Sequence, residues 1–118
     1  MNVTMNLVDA ITGVLRMQVK MLGRDVDYTL NDGTAGVLRA WVRGVRAEDL
    51  FAGAVQQDMA GVVNADEFVA RFPARIWPAR FDRLRTRNGR TYSVEEIRGA
   101  PNDEKPVFFK LLLRGGSQ

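Results

Sequence analysis

Two glycine-bearing turn signatures, each set between runs of alternating character, constrain this chain more than any other feature. Val26, Tyr28 and Leu30 alternate with Asp25, Asp27 and Thr29, the period of two that marks a half-buried strand. Asn31-Asp32-Gly33-Thr34-Ala35-Gly36 follows and is rich in residues that accept positive φ. Val37–Val45 then returns, with Leu38, Ala40 and Val42 on one face and Arg39, Trp41 and Arg43 on the other. The same grammar recurs later. Asp82-Arg83-Leu84-Arg85-Thr86 runs into the turn Arg87-Asn88-Gly89-Arg90, and Thr91 to Arg98 comes back with Tyr92, Val94 and, after a slip in phase, Ile97 inward. Asn-Gly between alternating runs is a strong short-range hairpin signal. A chain written this way folds as antiparallel hairpins.

The remaining segments fill out that plan. Leu7, Val8, Ile11, Val14, Leu15 and Leu22 recur at helical steps, predicting a helix over 6–22 with Asn6 and Asp9 as a weak capping pair and Gly23 as its stop. Gly13 costs that helix about 1 kcal/mol relative to alanine. Its apolar stripe is expected on the domain's own core, with Met5, Met17 and Met21 offering a second, adaptable surface. Residues 47–65 sustain no period, and read as a mobile loop with at most one short strand or helical turn. Phe68, Ala70 and Phe72 alternate with Val69 and Arg71, predicting a strand that Pro73 ends. A polar loop from Gly99 to Pro106 leads to a last strand, Val107 to Arg114, and a frayed tail. The sum is a single mostly β (α+β) domain over 1–118: a small antiparallel β-barrel or sandwich of five to six strands, with one N-terminal helix and a β core at 24–46 and 67–114.

Composition removes whole classes of chemistry. The 118 residues include no cysteine and no histidine, and serine only at Ser93 and Ser117. Thiol, imidazole and Cys/His metal chemistry therefore drop out, and the expectation is a non-enzymatic protein without metal or cofactor. The carboxylate pairs Glu48-Asp49, Asp66-Glu67, Glu95-Glu96 and Asp103-Glu104 are sequence neighbours, which on a strand point to opposite faces; a hydrolase would need two carboxylates opposed across a cleft. No apolar run approaches the ~20 residues of a membrane-spanning helix. The N-terminus lacks a signal-peptide pattern, so no membrane partner is expected and maturation in a cytosol is.

Charge supplies the one constellation left. The net charge is +3, but seven arginines fall between Arg71 and Arg90, where Asp82 is the lone acid. Arginine suits multidentate pairing with carboxylate and phosphate. On a strand Arg83, Arg85 and Arg87 share a face, Arg90 follows across the turn, and Arg75, Trp77 and Arg80 lie just upstream. This ribbon is open to three readings: a solvated outer face balanced by acids, a nucleic-acid surface, or a protein interface. Stacking aromatics, which nucleic acid favours, are few here, whereas arginine and tryptophan are enriched in protein interfaces. Trp41, flanked by two arginines, is expected to pack across strands rather than stack on a base.

Taken together, Glu67-Phe68-Val69-Ala70-Arg71, Phe81-Asp82-Arg83-Leu84, Asn88-Gly89-Arg90-Thr91-Tyr92-Ser93-Val94 and Val107 to Arg114 resemble the head–tail joining proteins of tailed bacteriophages, the lambda-type joining protein and related stopper or adaptor (connector) proteins. Phe81 stands where that family often has glycine. The resemblance implies a structural phage or prophage virion component, a small barrel forming a neck ring that joins the DNA-filled head to the tail. Its implied partners are portal or connector proteins, tail proteins, further copies of itself in an oligomeric ring and DNA in the channel. Its implied location is the virion neck, with the host cytoplasm during assembly. The family's contact regions are long loops and termini, which places a partner-ordered segment at Glu48, Asp49, Leu50, Phe51, Gln56, Gln57 and Asp58. The alternative is a basic small-barrel module that binds nucleic acid directly.

Overall fold

Six strands close into one antiparallel barrel in the order β1-β2-β3-β6-β5-β4. The computed structural model describes residues 7–100 and 102–117. Helix α1 (Leu7–Leu22) leads into β1 (Arg24–Thr29) and β2 (Ala35–Gly44), then β3 (Met59–Asn64), helix α2 (Ala65–Arg71), β4 (Arg83–Arg85), β5 (Thr91–Ala100) and β6 (Phe108–Ser117). Met5 and Asn6, and the side chains of Leu7, Val8, Ile11, Val14 and Leu15, lie outside what is described.

Both expected hairpins form, and they use the same turn. Leu30 N–H donates to Thr34 O and Gly33 N–H to Leu30 O, both at 2.8 Å; Thr86 N–H donates to Arg90 O at 2.8 Å and Gly89 N–H to Thr86 O at 3.0 Å. Gly33 (φ 96°) and Gly89 (φ 91°) take the left-handed position of these three-residue loops, which a side chain would strain. The phase slip in β5 is also present. Between Val94 and Glu96 the register against β6 shifts by a residue, so Val94 and Ile97 both face the interior core, as a β-bulge allows.

Three segments differ from the sequence reading. Residues 59–64, placed within the mobile loop, form β3, which pairs with β2 on one side and β6 on the other. Five of its six residues are buried. A strand covered on both faces reads as a continuous apolar run rather than an alternation, which hides it from a periodicity search. Glu67–Phe72, read as a strand, lies in and just after α2. Phe68 and Phe72 are four residues apart, so a spacing compatible with alternation equally places both on one face of a helix. The tail does not fray at Arg114: β6 continues to Ser117, opposite Thr91.

Helix α2 carries the core's aromatic centre. Phe68 packs edge-on against Tyr28 (5.5 Å between ring centroids) and Phe109 (5.6 Å), while Phe72 lies 5.2 Å from Phe68. Phe72 fits because Gly36 opposite has no Cβ; one there would come within 3.1 Å of its ring. The helix thereby plugs the barrel end where β3 finishes. Helix α1 packs on the outer wall, where buried Val19 meets Val62, Phe108 and Trp41. Trp41 thus packs as expected. Leu22, assigned to the buried stripe, is 50% exposed, and Met17 and Met21 are also on the open face.

Replacing Phe68 by alanine removes the ring that joins Tyr28, Phe72 and Phe109. Phe68→Ala is expected to cost about 3–5 kcal/mol of unfolding free energy, measured by urea denaturation, whereas Val69→Ala on the exposed side of α2 should stay within about 0.5 kcal/mol.

Candidate functional site

Antiparallel topology sorts every connection to one of two ends. The β1–β2 turn, the segment from α2 to β4 and the β5–β6 loop share the end plugged by α2. The α1–β1 junction, the roots of the β2–β3 connection, the β4–β5 hairpin and the end of β6 surround the other end, the mouth.

The arginine ribbon is divided among three places. Arg83 and Arg85 project from the outer face of β4 with Leu84 turned inward, as expected. Arg87 and Arg90 belong to the hairpin at the mouth, where Arg87 reaches Asp27 at 3.6 Å. Arg75, Trp77 and Arg80 lie at the plugged end and do not extend the ribbon. Trp77 is half-buried and packs against the core, its ring 4.9 Å from Phe109. Arg80 lies over the exposed ring of Phe81 at 4.8 Å and pairs with Glu95 at 3.5 Å. Phe81 adopts positive φ (72°), the conformation for which glycine is the relaxed choice.

Arg75 is internal machinery. Its guanidinium donates to Asp82 Oδ1 at 2.6 Å and to Asn31 Oδ1 at 2.9 Å. Asp82 is fully buried and also accepts from Tyr28 O–H (2.7 Å), Asn31 N–H (2.8 Å) and Ala79 N–H (2.8 Å). Burial, with the Asp82 hydrogen bond behind it, pushes the Tyr28 hydroxyl's pKa far above its usual range, so it remains a donor. The sequence marked Asp82 only as the lone acid among seven arginines; that isolation is the one signal by which this role was accessible.

The segment from Glu48 to Asp58, expected to await a partner, is fastened to the barrel as a strap. Asp49 is buried and receives both terminal nitrogens of Arg43 (2.7 and 2.8 Å), Arg46 N–H (2.8 Å) and Lys110 Nζ (3.2 Å). Burial raises the Asp49 pKa, but the Arg43, Arg46 and Lys110 contacts outweigh it and hold the group down at about 2. Asp58 accepts from Arg114 Nε (3.0 Å), Arg114 Nη2 (2.8 Å) and Val55 N–H (2.9 Å); the Arg114 bonds foremost lower its pKa. Glu96 accepts from Ala52 and Gly53 N–H. Lys110 and Arg114 flank outward-facing Leu112 on β6, so a strap tied to both lies over Leu112, which is 1% exposed. Glu48, Leu50, Gln56 and Gln57 are exposed along the strap and Phe51 is half-buried.

The mouth holds a concavity of about 1170 Å³. Val26, Val42, Met59 and Tyr92 form its floor; Arg24, Arg39, Arg87 and Arg90 surround it, with Asp25 as the one acid of the lining. No helix among the described residues is long and apolar enough to cross a membrane. Compared with models of protein families and with curated proteins, the sequence finds no match.

Removing the carboxylate of Asp82 leaves a partly buried guanidinium and three other donors without their acceptor. Asp82→Ala is expected to cost about 3–5 kcal/mol, read by urea denaturation, and to speed amide exchange first at Tyr28 and Leu84, whose strands it joins. The strap gives a pH signature. Asp49 has a folded pKa of about 2 against 3.8 when unperturbed, and Asp58 is also lowered. A depressed folded pKa means stabilisation fully present above the unfolded value and lost as pH falls through the folded one. Denaturation midpoints should therefore decline from about pH 4 to about pH 2, Asp49 accounting for roughly 2 kcal/mol, with a shallower decline in Asp49→Asn.

Proposed function

We propose that this chain is a structural component of a tailed-phage neck, joining the filled head to the tail by bridging two different protein partners. The observation that carries this reading is the chemical difference between the two ends of one rigid barrel. The mouth displays Arg24, Arg39, Arg87 and Arg90. The plugged end instead exposes the apolar side chains of Ile76 and Phe81, both more than half exposed, together with acidic hairpin tips at Asp32, Asp103 and Glu104. A barrel with two unlike ends presents two unlike contact surfaces, as a joint between dissimilar structures needs.

The distribution of arginine also favours this over direct nucleic-acid binding. A strand-tracking groove sets cations beside exposed stacking aromatics. Here Trp41 is covered by Arg43 and Arg46, whose guanidinium carbons lie 5.2 and 5.3 Å from its ring, and Trp77 is packed on Phe109.

Adding the purified chain to an extract that supplies its filled heads and its tails separately, but lacks the chain, should yield joined, infectious particles. No gain in joined particles with folded protein present would overturn the proposal. A second measurement addresses the rival. A nucleic-acid module should bind short duplex DNA tightly, lose affinity steeply as salt rises and lose it again in the Arg83→Ala/Arg85→Ala double variant; the joining role predicts weak DNA binding insensitive to that pair.

A further inference from the structure

From the mouth, we infer that the barrel binds a short, extended acidic peptide, which adds to the open edge of β1 and sets its carboxylates against the surrounding arginines. The inference stands on the geometry of the mouth alone and does not depend on the joining role.

Three observations converge. The first is an unpaired strand edge inside a barrel that is otherwise closed. β1 pairs with β2 along all six residues, Arg24 to Thr29, but with β4 only at Asp27, Tyr28 and Thr29. β4 is three residues long, and the chain then turns away at Thr86 into the hairpin. Arg24, Asp25 and Val26 therefore have a strand neighbour on one side only. The cavity lies at this gap, lined by Arg24, Asp25 and Val26 on one flank and by Thr86, Arg87 and Asn88 on the other. An edge with free backbone donors and acceptors is a template for an added strand.

The second observation is charge left without a counter-ion. The acids of this domain pair with Arg43, Arg46, Arg75, Arg80, Arg87, Arg98, Lys110 and Arg114. Of the cations that have no carboxylate within ion-pairing distance among the described residues, Arg24, Arg39 and Arg90 stand together at the mouth. The guanidinium groups of Arg24 and Arg39 donate to the backbone oxygen of Gly23, at 3.0 and 3.3 Å, which leaves other donors of each guanidinium open, while the Arg39 backbone N–H donates to Glu67 Oε1 at 2.8 Å. Arg24 sits two residues before inward-facing Val26, so its stem rises from the inner side of the rim, and Arg90 lines the same cavity from the β4–β5 hairpin.

The third is the floor. Val26, Val42, Met59 and Tyr92 offer an apolar base, and the volume of about 1170 Å³ exceeds the roughly 300–1,000 Å³ of typical small-molecule pockets. A strand added to β1 sets every second side chain on the inner face, so those beside Val26 enter the apolar base and those on the same face beside Arg24 meet the rim. Nucleic acid does not. Tyr92, the one aromatic in the lining, is 7% exposed and offers no stacking platform, and a duplex is too broad to reach the floor of a six-stranded barrel.

The test uses the full chain and a fluorescent octapeptide in which threonine alternates with two leucines and then two glutamates, so that leucine and glutamate share one face of the strand, followed by anisotropy. Saturable binding is expected. Affinity should fall about tenfold or more in Arg24→Gln/Arg90→Gln, in which two charged hydrogen-bonding partners are removed, and in a peptide with glutamine in place of glutamate. A peptide N-methylated at alternate amides should bind at least about tenfold more weakly, since strand addition needs its backbone N–H groups. Arg83→Gln/Arg85→Gln, on the outer wall of β4, should stay within about twofold; it removes the same charge away from the mouth. Thermal unfolding at an unchanged temperature shows that each variant is folded. Absence of saturable binding, an equal loss in the Arg83/Arg85 pair, or indifference to N-methylation would each overturn the inference. So would tighter binding of a single-stranded oligothymidine of equal charge, which would assign the mouth to nucleic acid. No heads or tails enter this assay, so its failure leaves the joining proposal standing, and failure to join particles leaves the mouth's ligand untouched.

Discussion

The barrel closes at its weakest seam, and one buried carboxylate holds that seam shut. Only three residue pairs connect β4 to β1, and three connect it to β5, too few for an independently stable pairing. Asp82, immediately before β4, binds Tyr28 on β1, Asn31 in the β1–β2 turn, and Arg75 and Ala79 in the long connection from α2. The partners lie on two stretches of chain, β1 with its turn and the connection from α2, so a single side chain fixes both against the start of β4. A buried charge is tolerable only when paired and fully hydrogen-bonded. Asp82 meets that condition with four donors on its two oxygens, and Tyr28, pushed toward its neutral form, cannot withdraw its proton from the arrangement.

Fixing that corner has a local cost that the chain accepts. Between Ala79 and Asp82 the backbone makes a tight turn, closed by Asp82 N–H on Ala79 O at 3.1 Å, and Phe81 N–H pairs with Val94 O at 2.8 Å. These bonds hold Phe81 in the left-handed region, about 1–2 kcal/mol above the right-handed one for a residue with a Cβ. Glycine there would relieve the strain and lose no burial, because the ring is 60% exposed. Leu50 repeats the pattern, with φ 59° and 73% exposure. Neither backbone ease nor core packing accounts for large apolar side chains at these two positions. Their place is the surface, beside Arg80 in one case and on the strap in the other.

What the sequence revealed follows from how far each signal is local. The hairpins were legible because Asn31-Asp32-Gly33 and Arg87-Asn88-Gly89 state their turn chemistry within a few residues, and the β5 bulge because Tyr92, Val94 and Ile97 break phase at one point. β3 was not legible: Met59 to Asn64 is covered inside by the core and outside by α1 and the strap, and two-sided burial erases alternation. Helix α2 was misread because a seven-residue element holds too few turns to separate a period of two from one of 3.6, even though Asp66 and Glu67 in its first turn favour a helix N-terminus. The strap's acids looked like solvated loop residues; their cations lie on two strands away from it in sequence or topology, Arg43 on β2 and Lys110 and Arg114 on β6. Of the arginine segment, the outer pair Arg83 and Arg85 was placed correctly, while Arg75 and Trp77 were internal for reasons that only tertiary contacts supply.

The same long-range pairing explains where charge remains available. Asp49, Asp58 and Asp82 are spent on buried, multiply bonded sites within the fold, and their partners are thereby removed from the surface field. What is left is not spread evenly. Arg24, Arg39 and Arg90 gather where β1 loses its second neighbour, and Arg83 and Arg85 continue along the adjoining outer wall. A net charge of +3 therefore understates the potential at that end, where Asp25 and Asp27 are set against Arg24, Arg39, Arg83, Arg85, Arg87 and Arg90 while Asp49, Asp58 and Asp82 sit in the strap and in the knot near the plug. The low-dielectric walls of a concave mouth focus such a field, so the shortness of β4, which makes Asp82 necessary at one end of the seam, leaves a charged and apolar opening at the other.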